Sequence, residues 1–419
     1  MRRQDITFIL PAMVCSFLIA FEYAISRPAS NAFFVSLFGP ASYPYAWLFC
    51  VPLNFLVVSC YSRFLPKWGC ASMMRLVASA VMLGNLCTYL LVDHFPAALF
   101  LHYLWKDIYI LLMFKQLWSL IHSRISMGKA RYLYGLFFGV GGLGSVLGSS
   151  LPSSFAVSLG SKIFFLAAIP IYLTFLFFYA LAWRSSRGSI DLSSTSSTSI
   201  RATLSQIARK PFLFYILLLV VCMQLSVALV EYQFNCYLKA SLPHLDLRTE
   251  YCGRLFGIIN FLTTSFQLFG GFLLIESLGL ALGHRMIPFL FLLQGASFFF
   301  FPSFAMISVS LVSVKSMDHS LFGILREMLY IPLGAEEKFQ VKAVIDVFAY
   351  RSAKAFAAIF LILGQKIIPL RILPVTGIAA LSIFAFWLWV TYKMFHGNTI
   401  WTTNGNEHPT FSTASEERA

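Results

Sequence analysis

The sequence predicts an all-α, polytopic membrane protein with about 12 transmembrane helices in two six-helix halves. Of the 419 residues, 58% are hydrophobic, only 11% are charged, and 44 are Phe. Segments of 18 or more mostly apolar residues recur along the chain, and about 20 helical residues span a bilayer. A backbone in lipid must satisfy its own hydrogen bonds, and the alternating segments of a barrel do not occur. We therefore predict that these spans are helices.

Twelve apolar segments are predicted to cross the membrane. In chain order they cover residues 7–26, 43–62, 74–92, 96–121, 132–154, 162–183, 211–233, 253–275, 285–303, 305–325, 343–365 and 373–394. The fourth and tenth contain charged residues, and only a short turn separates the ninth from the tenth. An even number of spans places both termini on the same side of the membrane.

Lys and Arg in the loops predict that this side is the cytoplasm, because cytoplasmic loops carry an excess of both. The basic residues on this side are Arg2, Arg3, Arg63, Lys67, Arg75, Arg124, Lys129, Arg131, Arg184, Arg187, Arg201, Arg209, Lys210, Arg285, Lys338 and Lys342. The opposite loops hold fewer, namely Arg27, Lys162, Lys239, Arg248, Lys366 and Arg371. This topology explains the net charge of +14 more simply than nucleic-acid binding, which we do not expect.

A polar segment divides the chain in two. Residues 184–210 have the low-complexity core SSTSSTS, which predicts a flexible, Ser/Thr-rich cytoplasmic linker. Residues 1–183 then form an N-terminal six-helix bundle, and residues 211–395 form a C-terminal one. The tail from 396 to 419 is rich in Thr, Asn, Ser and Glu and is predicted to be disordered in the cytoplasm.

The two halves also contain short sequence matches at a nearly constant spacing, which is close to half the length of the chain. The matching positions are Glu22-Tyr23 with Glu231-Tyr232, Lys129-Ala130 with Lys342-Ala343, and Lys115 with Arg326. Two related six-helix halves joined by a cytoplasmic linker are the plan of the major facilitator superfamily. In that fold the substrate binds near the bilayer midplane, and the halves rock to give alternating access.

Charged residues inside apolar segments are the main functional candidates, since a charge at the centre of a span costs roughly 2.5–3.5 kcal/mol. Residues 326–354 stand out, because nine of these 29 positions are charged. The charged residues within spans or at their ends are Glu22, Arg27, Lys106, Asp107, Lys115, Glu231, Lys315, Asp318, Arg326, Glu327, Asp346, Arg351 and Lys354. Side chains that reach the interface, or ion pairs that join helices, are the structural alternative.

The charged segment resembles the signature of the bacterial and plastid ATP/ADP translocases. That family reads Lys-Glu-Met-x-Tyr-Ile-Pro-Leu, a few acidic residues, and then Lys-x-Lys-Ala-x-Ile-Asp-Val. The stretch REMLYIPLGAEEKFQVKAVIDV (326–347) is similar to it without a gap over more than twenty positions, and Tyr350, Arg351 and Lys354 follow. Further similarity lies at LVEYQFNCYLKASLP (229–243), at GKARYLYGLFFGVGG (128–142) and at residues 23–27.

This resemblance implies a nucleotide transporter that exchanges ADP for ATP or takes up another nucleotide, as in obligate intracellular bacteria and plastids. We expect it in the inner (plasma) membrane of a bacterium. The resemblance also implies that Arg27 contacts phosphate and that Glu231 is important to transport. We take the substrate and translocation residues to be Arg27, Lys106, Glu231, Asp318, Arg326, Asp346, Arg351 and Lys354. No enzymatic nucleophile–base set, metal site, cofactor or obligate protein partner is expected. The eight Cys contain no C-x-x-C pair.

Several positions depart from the family pattern. Ser30, Asn235 and Asp318 stand where the family has lysines, and Lys106 stands where it has a glutamate. Each direct charge pair is worth about 4 kcal/mol at 4 Å for an effective dielectric near 20, so these losses weaken triphosphate binding unless other cations compensate. The alternative reading is therefore a carrier of the same fold for a smaller metabolite or a nucleotide-containing cofactor, with ATP/ADP exchange lost.

The changes at positions 106 and 318 have opposite sign, and their spacing is nearly that of the sequence matches between the halves. We hypothesise that Lys106 and Asp318 face each other across the central cavity as a gate pair. Two unrelated changes aligned in a wrong register are the alternative.

The segment GVGGLG (139–144) matches the dinucleotide fingerprint G-x-G-x-x-G by letter only. That fingerprint needs a preceding strand and a helix N-terminus, whereas this segment lies inside an apolar helix. Gly144 and Gly148, four residues apart, instead predict close packing of two helices.

Overall fold

A computed structural model describes residues 3–124, 127–185, 200–331, 333, 341–342 and 344–396. Within these ranges the chain is almost entirely helical and contains no strand. The helices are α1 (Arg3–Leu37), α2 (Tyr43–Leu91), α3 (Pro96–Arg124), α4 (Met127–Leu159), α5 (Ala168–Ser185), α6 (Ile200–Arg209), α7 (Pro211–Ser241), α8 (Leu245–Ser265), α9 (Gly271–Phe300), α10 (Phe304–Met317), α11 (Gly323–Leu329), α12 (Tyr350–Ile367) and α13 (Ile372–His396). Short 3₁₀ turns (Pro40–Ser42, Ser161–Phe165, Pro369–Arg371) and π-helical turns (Phe266–Gly270, Asp318–Phe322, Val344–Ala349) join or extend them.

In the described part of the chain these helices make twelve crossings, and each predicted span falls on one of them. The crossings are α1, the two arms of α2, α3, α4, α5, α7, α8 with the start of α9, the rest of α9, α10 with α11, the last π-helical turn with α12, and α13. Among the described residues, eight helical segments are individually long and apolar enough to span a membrane. The count is lower than twelve because α2 holds two crossings and π-helical turns divide several others.

Gly69 and Gly279 reverse the chain between consecutive crossings. Their backbone angles are φ 73°, ψ 159° in α2 and φ 72°, ψ 170° in α9. Residues with a Cβ rarely adopt positive φ, so glycine is favoured at both reversals. The spacing of the two glycines matches that of the sequence repeats, which indicates that the halves α1–α5 and α7–α13 are built alike.

Close packing of α1 against α4 depends on Gly144 and Gly148. A methyl group at either position would overlap the backbone carbonyl oxygen of Phe17 or Phe21 in α1. The prediction that these glycines serve helix packing is therefore confirmed. Gly253 plays the same part between the halves, since a methyl there would lie 2.6 Å from the backbone nitrogen of Ser153.

The segment predicted as a flexible linker needs a correction. Its second part, Ile200–Arg209, is helix α6, which directly precedes α7. Ile207 is buried in the core of the C-terminal half, and this apolar contact holds the helix against its neighbours. The linker residues 186–199 and the tail residues 397–419 lie outside the described ranges.

Candidate functional site

A cavity of about 560 Å³ lies between the two halves. The N-terminal half lines it with α1, α3 and α4, and the C-terminal half with α8, α10 and the adjoining π-helical turns. Its volume is within the range of about 300–1,000 Å³ that is typical of small-molecule sites. We call the side of the bundle with Arg3 and His396 the terminal side and the other the opposite side.

On the opposite side, polar contacts join the two halves beyond the cavity. Arg248 at the start of α8 donates to Ser36 Oγ in α1 at 2.8 Å. Asp246 Oδ1 accepts from the backbone N–H of Ser161 at 2.8 Å and from its hydroxyl at 2.5 Å. Arg248 is buried, so its charge lies inside the contact between the halves. This side is therefore closed, and the cavity extends from the middle of the bundle toward the terminal side.

The charged residues fall into one layer of the bundle. Arg27, Lys106, Glu231 and Lys315 each lie about three helical turns from the opposite-side end of their helix. A helix rises 1.5 Å per residue, so all four are about 15 Å from that end, close to half the thickness of a bilayer. Because the helices run in alternating directions, this alignment was not visible in the linear sequence.

Arg27 and Lys315 line the deep end of the large cavity. The guanidinium of Arg27 lies over the ring of Phe256 at 4.1 Å and near the ring of Tyr23 at 5.7 Å. Cation–π contacts of this kind hold the charge in place without neutralising it. The deep end therefore offers cationic groups to an anion.

Glu231 connects three helices of the C-terminal half. Its Oε1 is 2.8 Å from Lys315 Nζ in α10, and its Oε2 is 3.8 Å from Lys354 Nζ in α12. Lys354 also lies 4.8 Å from the ring of Trp47, which belongs to the N-terminal half. One carboxylate thus balances two lysines from different helices.

Lys106 makes its ion pair within its own helix. Its Nζ is 2.8 Å from Asp107 Oδ1 and 4.3 Å from the centre of the Tyr103 ring. Asp107 also accepts a hydrogen bond from the Tyr23 hydroxyl at 3.1 Å. A smaller cavity of about 70 Å³ lies beside it, lined by Trp47, Tyr103, Asp107, Tyr350, Arg351 and Lys354 among others.

The hypothesised gate pair is not formed in this conformation. Asp318 accepts from the side-chain amide of Gln224 at 3.1 and 3.2 Å and from the Tyr350 hydroxyl at 3.3 Å. Within the described ranges, no ion pair joins it to Lys106. The physical reason is that Asp107 offers Lys106 a closer carboxylate on the same helix.

Two other predicted site residues stand apart from the charged layer. Arg326 lies about two helical turns beyond Asp318, about 12 Å further toward the terminal side. Its guanidinium is 5.8 Å from the Phe322 ring. Asp346 belongs to the π-helical turn Val344–Ala349, but its side chain lies outside what the structure describes. The other six predicted residues lie in or beside the charged layer.

Lys315 and Asp107 were recognised from the sequence only as intramembrane charges and were not selected as site residues. Lys315 precedes Asp318 by three residues, so it lies on nearly the same helix face one turn away. A cation therefore lies one helical turn from position 318, where the family has a lysine. The signal in the sequence was the i, i+3 spacing of the two charges.

Two helical halves that enclose a deep cavity with charges at mid-membrane depth have the architecture of the major facilitator fold. The chain belongs to the TLC ATP/ADP transporter family, whose model matches residues 183–314 and 306–397. The predicted resemblance and the predicted fold class are both confirmed.

Curated relatives from bacteria and plants agree with this assignment. The ADP,ATP carrier protein 1 of Chlamydia muridarum (strain MoPn / Nigg) is 25% identical over 355 residues, which cover 75% of this chain and 64% of the relative. The ADP,ATP carrier protein 3 of Rickettsia conorii (strain ATCC VR-613 / Malish 7) is 23% identical over 342 residues, covering 70% and 68%. The chain thus spans slightly less than two thirds of the length of the Chlamydia carrier.

Solved structures share the fold. A mutant of the nucleoside transporter NupG superposes with a TM-score of 0.69 at 11% identity, covering 93% of this chain and 100% of that one. The xylose transporter XylE from E. coli, in a partially occluded inward-open conformation, gives 0.59 at 12% identity, covering 92% and 98%. At these identities the likeness concerns the fold alone.

Proposed function

We propose that this protein is a nucleotide carrier that works by alternating access and exchanges ATP for ADP. The observation that carries this proposal is the position of Arg27 and Lys315 at the deep end of a cavity of about 560 Å³ between the halves. A polyanion needs cations at the point where it binds, and buried arginine and lysine are suited to phosphate. A carrier of this kind needs no reaction centre, so we do not expect an enzyme.

The cationic set has as many members as the sequence predicted, but Lys315 belongs to it in place of Arg326. Among the described residues, five cations lie in or beside the charged layer, namely Arg27, Lys106, Lys315, Arg351 and Lys354. Four described carboxylates lie in or beside it, namely Glu22, Asp107, Glu231 and Asp318. The resulting excess of positive charge favours a phosphorylated substrate over a neutral one.

The contacts of Arg248 and Asp246, which close the opposite side, support a proposal for the direction in which the carrier opens. The excess of Lys and Arg on the terminal side supports a cytoplasmic location for both termini. The structure then corresponds to a carrier that opens toward the cytoplasm. We place it in the inner (plasma) membrane of a bacterium, with bundles at 1–183 and 211–395 and a connection between them.

A carrier for a smaller metabolite is the second candidate, and one observation favours it. Lys106 and Lys315 each have a carboxylate at 2.8 Å, so part of the positive charge is already balanced. A substrate with one phosphate or carboxylate would then suffice.

Uptake of labelled nucleotides separates the two candidates. Bacterial cells that express the chain are given labelled ATP, and unlabelled ADP is then added outside. Saturable ATP uptake, followed by release of label when ADP is added, would establish exchange. If every nucleotide tested fails to enter while the protein is present in the membrane, the second candidate replaces the first.

Substitution of Arg27 tests the site itself. We expect Arg27→Gln to lower the affinity for ATP at least about 10-fold, because a direct charge pair is worth several kcal/mol at the low dielectric of the cavity. Arg63→Gln is the matched control, since Arg63 is exposed and lies in α2 outside the cavity lining. Equal effects of both substitutions would contradict a phosphate site at Arg27.

A further inference from the structure

The large cavity has two chemically different ends. Arg27 and Lys315 occupy the deep end, whereas the terminal-side end is lined by aromatic and uncharged polar side chains. Three cavity residues lie at one level, namely Trp118 in α3, Phe138 in α4 and Gln267 in the π-helical turn that extends α8. Each is about six helical turns from the opposite-side end of its helix. They are therefore about 16 Å further from that end than the charged layer. An elongated ligand with one charged end would be oriented by this difference.

Trp118 and Phe138 form an aromatic surface at the terminal-side end. Their ring centres are 4.9 Å apart with an angle of 36°, and both side chains line the cavity. Tyr134 and Phe137 support the Trp118 ring, at 5.3 and 6.1 Å. Phe138 is 50% exposed, so a flat ligand has access to its ring. Stacked aromatic side chains of this kind bind nucleobases through their π-faces.

Gln267 presents a partly used amide beside this surface. Its Nε2 donates one hydrogen bond to the backbone oxygen of His319 at 2.7 Å. A side-chain amide has two N–H donors and one carbonyl acceptor, so one donor and the carbonyl stay available to a ligand. This donor–acceptor pair is the one that Gln uses to bind adenine at N6 and N7. Guanine presents two acceptors, N7 and O6, at the same edge.

Two further polar groups lie between the ends of the cavity. Asn260 uses both N–H groups, donating to the Ser145 backbone oxygen at 3.2 Å and to Ser149 Oγ at 3.0 Å. Its carbonyl oxygen is left as an acceptor. Thr263 Oγ1 is buried and has no hydrogen-bond partner within the described part of the chain. Along α8, Asn260 and Thr263 lie between the level of the charged layer and Gln267.

We propose that the terminal-side end of the cavity is an adenine subsite. The base stacks on Trp118 and Phe138, and Gln267 binds its amino edge. The ribose hydroxyls lie beside Asn260 and Thr263, and the phosphates reach Arg27 and Lys315. This order along the cavity is the order of base, sugar and phosphate in a nucleotide, and the proposal rests on the proposed function as a nucleotide carrier.

The selectivity test compares ATP with GTP. Inhibition constants of both nucleotides are measured against labelled ATP uptake in cells that express the full chain. For the native chain we expect ATP to bind about 10-fold more tightly than GTP, as one bidentate base contact supplies. In Gln267→Met this ratio should fall to about 1, whereas Arg27→Gln should weaken both nucleotides and keep the ratio.

The stacking test uses a matched pair of variants. Trp118→Leu should raise the inhibition constants of ATP and GTP together by about 10-fold, and Trp118→Phe should retain most of the native affinity because it keeps a π-face. Protein amounts in the membrane are compared by immunoblot. If Trp118→Phe loses as much affinity as Trp118→Leu, the effect is not stacking and the subsite is wrong.

The outcomes separate this inference from the proposed function. If no nucleotide enters the cells, the nucleotide carrier and the subsite both fail. If ATP enters but the native chain does not distinguish it from GTP, or if Gln267→Met keeps the native ratio, only the adenine subsite is overturned.

Discussion

Glu22 in α1 and Glu231 in α7 occupy equivalent positions of the two halves, and their surroundings differ in charge. Both side chains are buried. The Tyr109 hydroxyl donates its one proton to the Glu22 carboxylate and lies 3.2 and 3.0 Å from its two oxygens, and Glu22 makes no ion pair within the described ranges. Glu231 instead lies between Lys315 and Lys354. A glutamate at the matching position therefore joins two helices in the N-terminal half and balances two lysines in the C-terminal half.

The neighbours of the two glutamates explain this difference. Lys106 and Lys315 have the same spacing in the chain as the two glutamates, yet Lys106 pairs with Asp107 and not with Glu22. Tyr109, which donates a hydrogen bond to Glu22, is separated from Asp318 by the same number of residues, so Asp318 stands at the matching position of the C-terminal half. Both halves thus carry a glutamate and a lysine at matched positions, but only the C-terminal half pairs them. Pseudo-symmetry of sequence therefore does not produce symmetry of charge pairing.

The largest effect is expected for Glu231→Gln. This substitution removes the carboxylate shared by the buried Lys315 and the partly exposed Lys354 and leaves both lysines without their common partner. Breaking a buried ion pair costs about 3–5 kcal/mol, so we expect uptake to fall about 100-fold or the protein to lose thermal stability. Initial uptake rates and the melting temperature of the purified carrier measure the two outcomes. Uptake and stability close to those of the native chain would show that Glu231 is not part of the charged network.

An effect of intermediate size on uptake is expected for substitutions of Lys106, which test the carboxylate that pairs with it. Lys106→Asp places two carboxylates side by side and should impair uptake about 10-fold, and the exchange Lys106→Asp with Asp107→Lys should restore part of it. The original gate hypothesis makes a different prediction, namely rescue of Lys106→Asp by Asp318→Lys.

Uptake rates of the two double variants decide between these partners. Rescue by Asp107→Lys alone supports the pair seen in this conformation. Rescue by Asp318→Lys alone would mean that Lys106 changes partner when the carrier closes on the terminal side. Failure of both would assign Lys106 a direct role at the substrate.

The sequence predicted helices better than it predicted the contacts of individual charges. Apolar length determines a span, so all twelve segments coincide with helices, and the glycines at 144 and 148 were assigned correctly to packing. The helix Ile200–Arg209 was missed because a Ser/Thr-rich neighbourhood hides a short amphipathic segment. Hydropathy cannot tell how a helix is rotated, and so it could not show that Lys106 pairs with Asp107 or that Lys315 lies in the cavity.

The family resemblance had the same limit. It selected Arg27 and Glu231 because they match family positions, and the structure places both in the charged layer, whereas their roles toward phosphate and in transport stay predictions. It treated position 318 as a lost lysine, although Lys315 supplies a cation one turn earlier. A match at position 318 alone takes no account of a cation one turn away on the same helix face.

The smallest effect is expected for Glu22→Gln, which tests the other side of the comparison. The amide oxygen of Gln can accept the same hydrogen bond from the Tyr109 hydroxyl, and no cation loses a partner. We expect uptake within about three-fold of the native rate and little change in melting temperature, as for other replacements that conserve shape and hydrogen bonding. Tyr109→Phe is the matched control for the hydrogen bond itself, since it removes the hydroxyl and should destabilise the N-terminal half by about 1–3 kcal/mol. A loss of uptake in Glu22→Gln as deep as that in Glu231→Gln, at equal protein amounts, would show that both glutamates act in transport and that the two halves are functionally symmetric.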